Sequence, residues 1–306
     1  MLFSLVVCSV DRHDRIDRLF RSLESQSCRD FEVILVDQNA DDRLVPFVKL
    51  YSAHFAILHI RSPRGLSLAR NRGIAVAKGD LVAFPDDDCW YRPETLAIVA
   101  GKFAQNPALG VVTGRTFDAD NQPSLSPSGE TESAITRTNY LACGNSNSIF
   151  IRHPLIAEIG GFDERLGVGA ATPFQSGEEA DLLLRAMNAG AGLRYFPDIV
   201  AHHDQVDKDV TFAHAARAAK YGRGFGALLR KHDYGIAYFL YRLARPAASA
   251  ARAVLARDWP SANYKWAWLL GIAEGYLSWG RISAGLPFST AVQPVDTAGS
   301  SPRIAL

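Results

Sequence analysis

Cysteine is scarce in this chain of 306 residues, and its few copies stand alone. Cys8, Cys28, Cys89 and Cys143 are widely spaced, with no C-x-x-C pair. Neither a zinc site nor a disulfide framework is expected, and a reducing, cytoplasmic compartment is. Long apolar runs are missing too: no stretch reaches the roughly 18 residues that a transmembrane helix requires, so no membrane span is expected. The opening "MLFSLVVCSV" lacks a basic start and meets Asp11-Arg12 at once, which argues for a first β-strand over a signal peptide. Net charge is nearly absent at +1, so no global argument for a nucleic-acid partner exists. What remains is ordinary globular material, 48% hydrophobic and 21% charged, enough for one large domain or a domain with an appendage.

Strand-like and helix-like segments alternate in the first part. "FSLVVCSV" (3–10), "FEVILVD" (31–37) and "FAILHI" (55–60) are β-rich, and the first is unbroken, as a parallel strand covered on both faces should be. "RIDRLFRSLESQ" (15–26) sets Ile16, Leu19, Phe20 and Leu23 at helical spacing, and "GLSLARNRGIAVAKG" (65–79) predicts a second helix before a strand in "DLVAFPDDD". This β-α-β-α-β-α-β order predicts an α/β fold with a doubly wound, mainly parallel sheet. Ligands gather at the carboxyl ends of such strands. Asp37 ends the second strand and Asp86, Asp87 and Asp88 end the fourth, so two acidic strand ends are expected to share one crevice. Further on, a polar loop is expected over 118–138, a helix over "EEADLLLRAMNAG" (178–190), and a strand with its exit over "LRYFPDIVAHHD" (193–204).

Adjacent aspartates at a strand end suit a hard divalent cation, Mg²⁺ or Mn²⁺, which prefers oxygen ligands and keeps water or phosphate oxygens in its other positions. A calcium loop is excluded, because its central glycine is missing and Ala97 stands near the place of the closing acid. A solvated acidic turn is the plain alternative.

The stretches "SLVVCSVDRHDRIDRLFRSLESQSCRDFEVILVDQNADD", "RGLSLARNRGIAVAKGDLVAFPDDDCWY" and "GGFDERLG…SGEEADLLLRAMNAG" resemble the family 2 glycosyltransferases of GT-A fold, in the family's order over roughly residues 3–204. The resemblance implies inverting transfer of one sugar from a nucleotide-sugar donor, a UDP-sugar favoured through Asp37, to an acceptor hydroxyl on a glycan or lipid-linked intermediate of polysaccharide synthesis. It implies that Asp37 recognises the nucleotide base, Asp86 the ribose, and Asp88 a metal bridging to the diphosphate, with Asp87 directed away or supporting its neighbours. Arg70 and Asn71 match the helix beneath the donor. Arg70 could pair with the diphosphate or with the acids, and Arg64-Gly65 opens that helix where free N–H groups favour an anion. The QxxRW motif of processive synthases is absent, which implies single addition.

In "SGEEADLLLR" the resemblance implies a general base at Glu179, with Glu178 as the other candidate, where the family's usual pair is Glu-Asp. Ser176-x-x-Glu179 equally fits a capping box, in which Glu179 would reach back to the helix's first N–H. Asp181 and Arg185, four apart, fit a helix-surface ion pair. His202 or His203 would complete the metal site, or be polar strand-exit residues. Asn145 lies where related enzymes shape the acceptor pocket, or is a turn residue.

After about residue 212 the character changes. Nine Lys and Arg lie between Arg217 and Arg257 against Asp233 alone, and four of the five tryptophans follow at 259, 266, 268 and 279. Cations and indoles on helices fit a peripheral membrane surface; a cap on the catalytic domain or a homodimer interface are the alternatives. The expected division is 1–211 for the catalytic domain, 212–287 for a basic aromatic helical extension and 288–306 for a loose tail. "GRGFGALL" follows no strand and is not a dinucleotide fingerprint. Two rival functions remain. A sugar-nucleotide pyrophosphorylase would need a Gly-rich basic loop after the first strand, which "CSVDRHDR" lacks, and a non-catalytic membrane-associated nucleotide-sugar binder is disfavoured by acids at all three positions.

Overall fold

The computed structural model describes residues 1–12, 14–125, 129–205 and 210–286; the tail expected at 288–306 lies outside them. In chain order the elements are β1 (Phe3–Ser9), α1 (Ile16–Glu24), β2 (Phe31–Asp37), α2 (Val45–Tyr51), β3 (Ala56–Arg61), α3 (Leu66–Val76), β4 (Leu81–Ala83), β5 (Cys89–Tyr91), α4 (Thr95–Gln105) and β6 (Leu109–Phe117). They continue with β7 (Ser133–Ala134), β8 (Ile149–Arg152), α5 (His153–Glu158), α6 (Glu178–Asn188), β9 (Gly192–His203), α7 (His214–Lys231), α8 (Ile236–Leu255) and α9 (Trp259–Ser283).

The unbroken apolar run of β1 divides its side chains between two cores. Phe3, Leu5 and Val7 join Leu19, Phe20 and Leu23 of α1 on one face, and Val6 joins Ala69 and Ile74 of α3 on the other. Period-2 alternation makes this division, and each such side chain contributes about 1.5–3 kcal/mol by leaving water. The sheet runs β3-β2-β1-β4-β8-β6-β9-β5, with β7 paired to β9. Strands β1 to β4 are parallel as the sequence predicts. Beyond β4 the sheet is mixed: β8 is antiparallel to both its neighbours, while β9 runs parallel to β6 and antiparallel to β5.

The fourth strand is shorter than expected. Pro85 has no N–H to continue the ladder, and β4 stops at Ala83. The acid run therefore stands in a turn, held to β1 by one bridge between Cys8 and Asp86. Register brings Ser9 opposite Asp37, so the ends of β1, β2 and β4 open on one crevice.

Helices α7, α8 and α9 form the C-terminal region, and α7 and α9 cross at unusually close range. A Cβ at Gly226 would fall 2.0 Å from the Ile272 carbonyl oxygen, and one at Gly275 would fall 2.0 Å from that of Arg223. Gly222 and Gly226 face Gly271 and Gly275, two G-x-x-x-G pairs whose missing side chains let the backbones touch. The "GRGFG" glycines are thus a packing device. The region also docks on the rest of the fold, because Lys231 reaches Asp163 and Asp181, and His232 Nε2 lies 2.8 Å from Asp181 Oδ1. Asp181 is fully buried, so its predicted pair with Arg185 forms at 2.8 Å in the interior instead of on the helix surface.

Candidate active site

Five strand ends, those of β1, β2, β3, β4 and β9, and the start of α6 supply the crevice. At the end of β2 the buried Asp37 accepts hydrogen bonds from the backbone N–H and the Nδ2 of Asn39, at 2.9 and 2.8 Å. His59 and Arg61, on neighbouring β3, approach its other oxygen at 2.9 Å each. Burial opposes ionisation here, but the hydrogen bonds from His59 and Asn39 and the charge of Arg61 prevail, and the carboxyl is held below its ordinary value.

The three aspartates have different sets of partners, with Arg12 common to Asp87 and Asp88. Asp86 sits in the crevice with its side chain about one-third exposed. Its backbone N–H donates to Asn147 Oδ1 at 2.7 Å, Ser146 donates to its carboxylate at 3.3 Å, and Arg70 lies 3.3 Å away. Desolvation raises its pKa to about 6; Arg70 opposes this, while Glu179, Asp88 and Asp87 add to it. Asp87 turns back to the sheet, where Ser9 donates to it at 2.6 Å and Arg12 at 3.2 Å; its burial pushes it upward. Asp88 is bonded by Arg12 on one oxygen and lies 3.2 Å from His203 Nε2 on the other.

The two adjacent histidines are separated by the same alternation that builds the strands. His203, opposite Cys89, turns to Asp88; burial lowers its pKa, but Asp88 outweighs that and raises it. Asp88 is held low in return, its burial outweighed by His203, Arg12 and Arg15. His202 stacks on Trp90 at 5.2 Å, with its Nδ1 on the Asp118 carbonyl at 3.1 Å and its Nε2 accepting from Arg92 at 3.2 Å. Both ring nitrogens are engaged, and burial with Arg92 and Arg18 lowers its pKa, so His202 has no lone pair to offer a metal.

Arg70 joins the two acidic motifs. Only 2% exposed, it lies 3.3 Å from Asp86, 3.5 Å from Glu178 and 3.9 Å from Glu179, and its guanidinium stands 5.0 Å from the Phe162 ring centre. Of its two sequence-based options the structure shows pairing with the acids. Glu178 is buried and raised to about 7, by desolvation first and Glu179 second, with Arg70 opposing. Glu179 has its side chain about one-third exposed, beside Asp86.

The capping-box alternative does not form. Gly177, at φ 93°, occupies the N-cap of α6, no side chain caps the helix, and Ser176 donates to the Tyr221 carbonyl at 2.8 Å. Asn71 stands on α3, the helix that the resemblance sets beneath the donor. It clamps the 160s loop, donating to the Phe162 carbonyl at 2.9 Å and accepting from its N–H at 2.7 Å. Asn145 caps a short 3₁₀ turn and donates to Thr116 at 2.8 Å, which is its turn-residue alternative. The N–H groups of Gly65 and Leu66 are taken by Gln38 and Val168, so the start of α3 does not offer them to an anion.

The site includes residues that sequence reasoning missed: Ser9 at the end of β1 and Arg12 beyond it, His59 and Arg61 on β3, and Asn147. Ser9 and Arg61 end their strands, the signal used for Asp37, while His59 lies inside β3 and carries no such signal. Asn147 carries no pattern of its own.

For a divalent cation, Asp88 and His203 are the fitting pair. Among the described residues no cluster of three His, Cys, Asp or Glu is arranged to hold a metal. Two protein ligands suit Mg²⁺ or Mn²⁺, which are bound by few protein groups together with substrate phosphates and water.

Comparison with known proteins agrees with this architecture. A mannosyltransferase from Pyrobaculum calidifontis, solved with GDP-Man and Mn²⁺, aligns over 90% of this chain and 86% of its own with TM-score 0.60 and 19% identity. Staphylococcus aureus TarS 1–349, solved with UDP-GlcNAc, aligns over 92% of each chain with TM-score 0.58 and 15% identity. Both are likenesses of fold, and the fold is GT-A with a helical C-terminal region. Among curated proteins, an "Uncharacterized glycosyltransferase" of Haemophilus influenzae is 27% identical over 194 residues, covering 61% of this chain and 62% of the relative. A pre-mycofactocin glycosyltransferase of Mycobacterium tuberculosis is 30% identical over 220 residues, covering 67% of this chain and 44% of the relative. The chain thus spans less than two-thirds of the length of either relative. The model of Glycosyl transferase family 2 matches residues 4–156, half of the 306, and the chain belongs to that family.

Proposed function

We propose that the chain is an inverting glycosyltransferase that moves one sugar from a nucleoside-diphosphate sugar to an acceptor hydroxyl. The observation that carries this reading is Arg70, which gathers Asp86, Glu178 and Glu179, from motifs about ninety residues apart, at one crevice. Glu179, the more exposed of the pair, takes the proton from the acceptor hydroxyl. The freed oxygen attacks the anomeric carbon from the face opposite the diphosphate, the bond to the diphosphate oxygen breaks, and the nucleoside diphosphate leaves. Asp37, kept ionised by His59, Asn39 and Arg61, accepts hydrogen bonds from the nucleotide base, and Asp86 accepts from the ribose. Asp87 and Asn71 hold the loops that present them. Asp88 and His203 would hold Mg²⁺ or Mn²⁺, whose chemistry is to neutralise charge on the departing diphosphate. Both solved neighbours carry nucleotide sugars, UDP-GlcNAc in one and GDP-Man in the other. A UDP-sugar is the favoured donor here, and a glycan or lipid-linked intermediate the favoured acceptor.

We place the catalytic domain at 1–211 and the helical extension at 212–287. No described helix is long and apolar enough to cross a membrane. Trp259, Trp266, Leu270 and Leu277 are instead exposed, spaced as one stripe along α9. We read that stripe as a peripheral contact with the cytoplasmic membrane face; a homodimer through it would instead appear as doubled mass in solution.

The deciding experiment measures sugar transfer or donor hydrolysis across UDP- and GDP-sugars, with Mn²⁺ and with EDTA, for the wild type and Glu179→Gln. Turnover that needs metal and collapses in Glu179→Gln is expected. Full turnover by Glu179→Gln would remove the base assignment, and no turnover or binding of any nucleotide sugar would remove the enzyme.

A further inference from the structure

Helix α7 meets its neighbours backbone to backbone on two sides. Gly222 and Gly226 face α9, and Gly224, between them, faces the other way. A Cβ at Gly224 would stand 2.3 Å from the Ser176 carbonyl oxygen, and Ser176 in turn donates to the Tyr221 carbonyl at 2.8 Å. The backbone of α7 therefore lies directly against the residue before Gly177, the N-cap of α6. The two residues that follow are Glu178 and Glu179.

A second contact joins the end of α7 to the first turn of α6. Asp181 is fully buried. Lys231 Nζ and His232 Nε2 both reach its Oδ1, the latter at 2.8 Å, and its Oδ2 accepts from Arg185 Nε at 2.8 Å. Lys231 also reaches Asp163 at 2.6 Å, and Arg185 also donates to the carbonyls of Ile159 and Gly161. Burial opposes ionisation of Asp181, but Lys231, Arg185 and His232 outweigh it and hold the carboxyl below its ordinary value. At about 100° per residue, Asp181 stands about 200° around α6 from Glu179, nearly on the opposite side of the helix.

Buried ion clusters are a poor source of stability, because desolvating the charges offsets their attraction, and apolar side chains of similar size often serve a fold as well. What paired charges add is direction, since their hydrogen bonds accept only a narrow geometry. Glu179 depends on direction. Its carboxylate lies 3.9 Å from Arg70, beyond hydrogen-bond distance, so the helix beneath it sets where it stands.

We propose that Asp181, Lys231 and His232 are positioning residues for the general base. Together with the contact of Gly224 on Ser176, they fix the start and the rotation of α6, and so keep Glu179 turned to the acceptor hydroxyl. The inference rests on Glu179 as the base, and Asp181 acts through it from the protein interior.

The test is a cycle of variants in the full chain, read as release of nucleoside diphosphate across the UDP- and GDP-sugar series, with donor affinity and melting temperature measured beside it. Asp181→Asn alone would strand Lys231 and Arg185 and is expected to lower the melting temperature. Asp181→Leu/Lys231→Met removes one charge of each sign and should nearly keep the melting temperature. Its donor affinity should be unchanged and its kcat lower by about 10- to 100-fold. The same pair placed in Glu179→Gln should lose no more than about threefold further, because a base already absent cannot be misplaced. His232→Leu, a milder change that carries the test should the pair not fold, should repeat the pattern with a smaller loss. Equal fold-losses with and without Glu179 would overturn the inference, since the cluster would then act on the fold or the donor. So would a wild-type kcat in the cluster variants, or a kcat that falls only where the melting temperature falls. Full turnover by Glu179→Gln alone, or none by the wild type, would overturn the base assignment and the positioning role together.

Discussion

His203 Nε2 lies 3.2 Å from Asp88 Oδ1, at the meeting of β9 and the turn after β4. Without metal the pair shares a proton, which raises the histidine and lowers the carboxyl. The stability it contributes is present below the ordinary histidine value of about 6.5 and is lost as pH rises through the raised folded value. At the acid end, the Asp88 share is lost as pH falls through its depressed value. Metal reverses the upper limb, because a protonated imidazole cannot ligate. In EDTA, His203→Gln should therefore lower the melting temperature more at pH 5.5 than at pH 8.5, and Mn²⁺ should stabilise the wild type more at pH 8.5. His203→Ala is expected to weaken Mn²⁺ by more than the roughly 10–100-fold of a lost outer partner. His202→Ala should leave Mn²⁺ affinity nearly unchanged; equal losses at the two histidines would sink the assignment.

The two glutamates at the start of α6 are assigned different roles, and one of them is open to a pH test. Glu178, raised to about 7, changes charge in the neutral range. Glu179→Gln should cut kcat by about 10²- to 10⁴-fold with donor affinity kept, as loss of a general base does. Glu178→Gln removes a limb near pH 7 from the activity profile and leaves substantial turnover. A collapse of kcat in Glu178→Gln alone, with Glu179→Gln active, would exchange the two roles.

Much of this architecture was legible in the sequence, and the gaps have physical causes. Strands β1 to β3 and helices α1, α3 and α6 stand within a few residues of their expected places, because each buries an apolar face at its own period. The short strands β5, β7 and β8 went unread, since two to four residues carry too little periodicity to mark them. The acid run and its crevice were legible from strand ends alone. The choice between His202 and His203 stays open in the sequence reading, although alternation along a strand puts neighbours on opposite faces. The failure of the cap at Glu179 was not legible, because it depends on Gly177 taking the left-handed conformation one residue after Ser176.

Arg70 is buried among carboxylates, and its removal should cost more in alkaline than in acid solution. Asp86 and Glu178 have folded values of about 6 and about 7, above those of free carboxyls. Their protons stabilise the fold at low pH, and that share is lost as pH rises through 6 and 7. Arg70→Met leaves both acids without their cation, for a loss of about 3–5 kcal/mol when they are ionised. Urea unfolding at pH 8 should show this loss, and at pH 5.5 it should shrink as the acids protonate. An equal loss at both pH values would assign Arg70's contribution to packing over Phe162 and not to charge.

The α7–α9 crossing makes a prediction that composition alone would reverse. Replacing a helical glycine by alanine ordinarily gains about 1 kcal/mol in helix propensity. At Gly226 and Gly275 the new methyl would meet a carbonyl oxygen of the facing helix at 2.0 Å, backbone against backbone, with no side chain to move aside. The helices would have to part, so each substitution should destabilise by about 1–3 kcal/mol or more despite the propensity gain. Gly280, late in α9, has nothing within 4 Å of its Cβ position, and Gly280→Ala should be neutral or up to about 1 kcal/mol stabilising. The double variant Gly226→Ala/Gly275→Ala should cost less than the sum, because a crossing opened once admits the second methyl more easily. Lys231 and His232 at the end of α7 hold Asp181, two residues from Glu179. Parting the helices should therefore lower kcat as well as the melting temperature. A crossing that opens with kcat unchanged would show that α7 supports the fold but does not position the base.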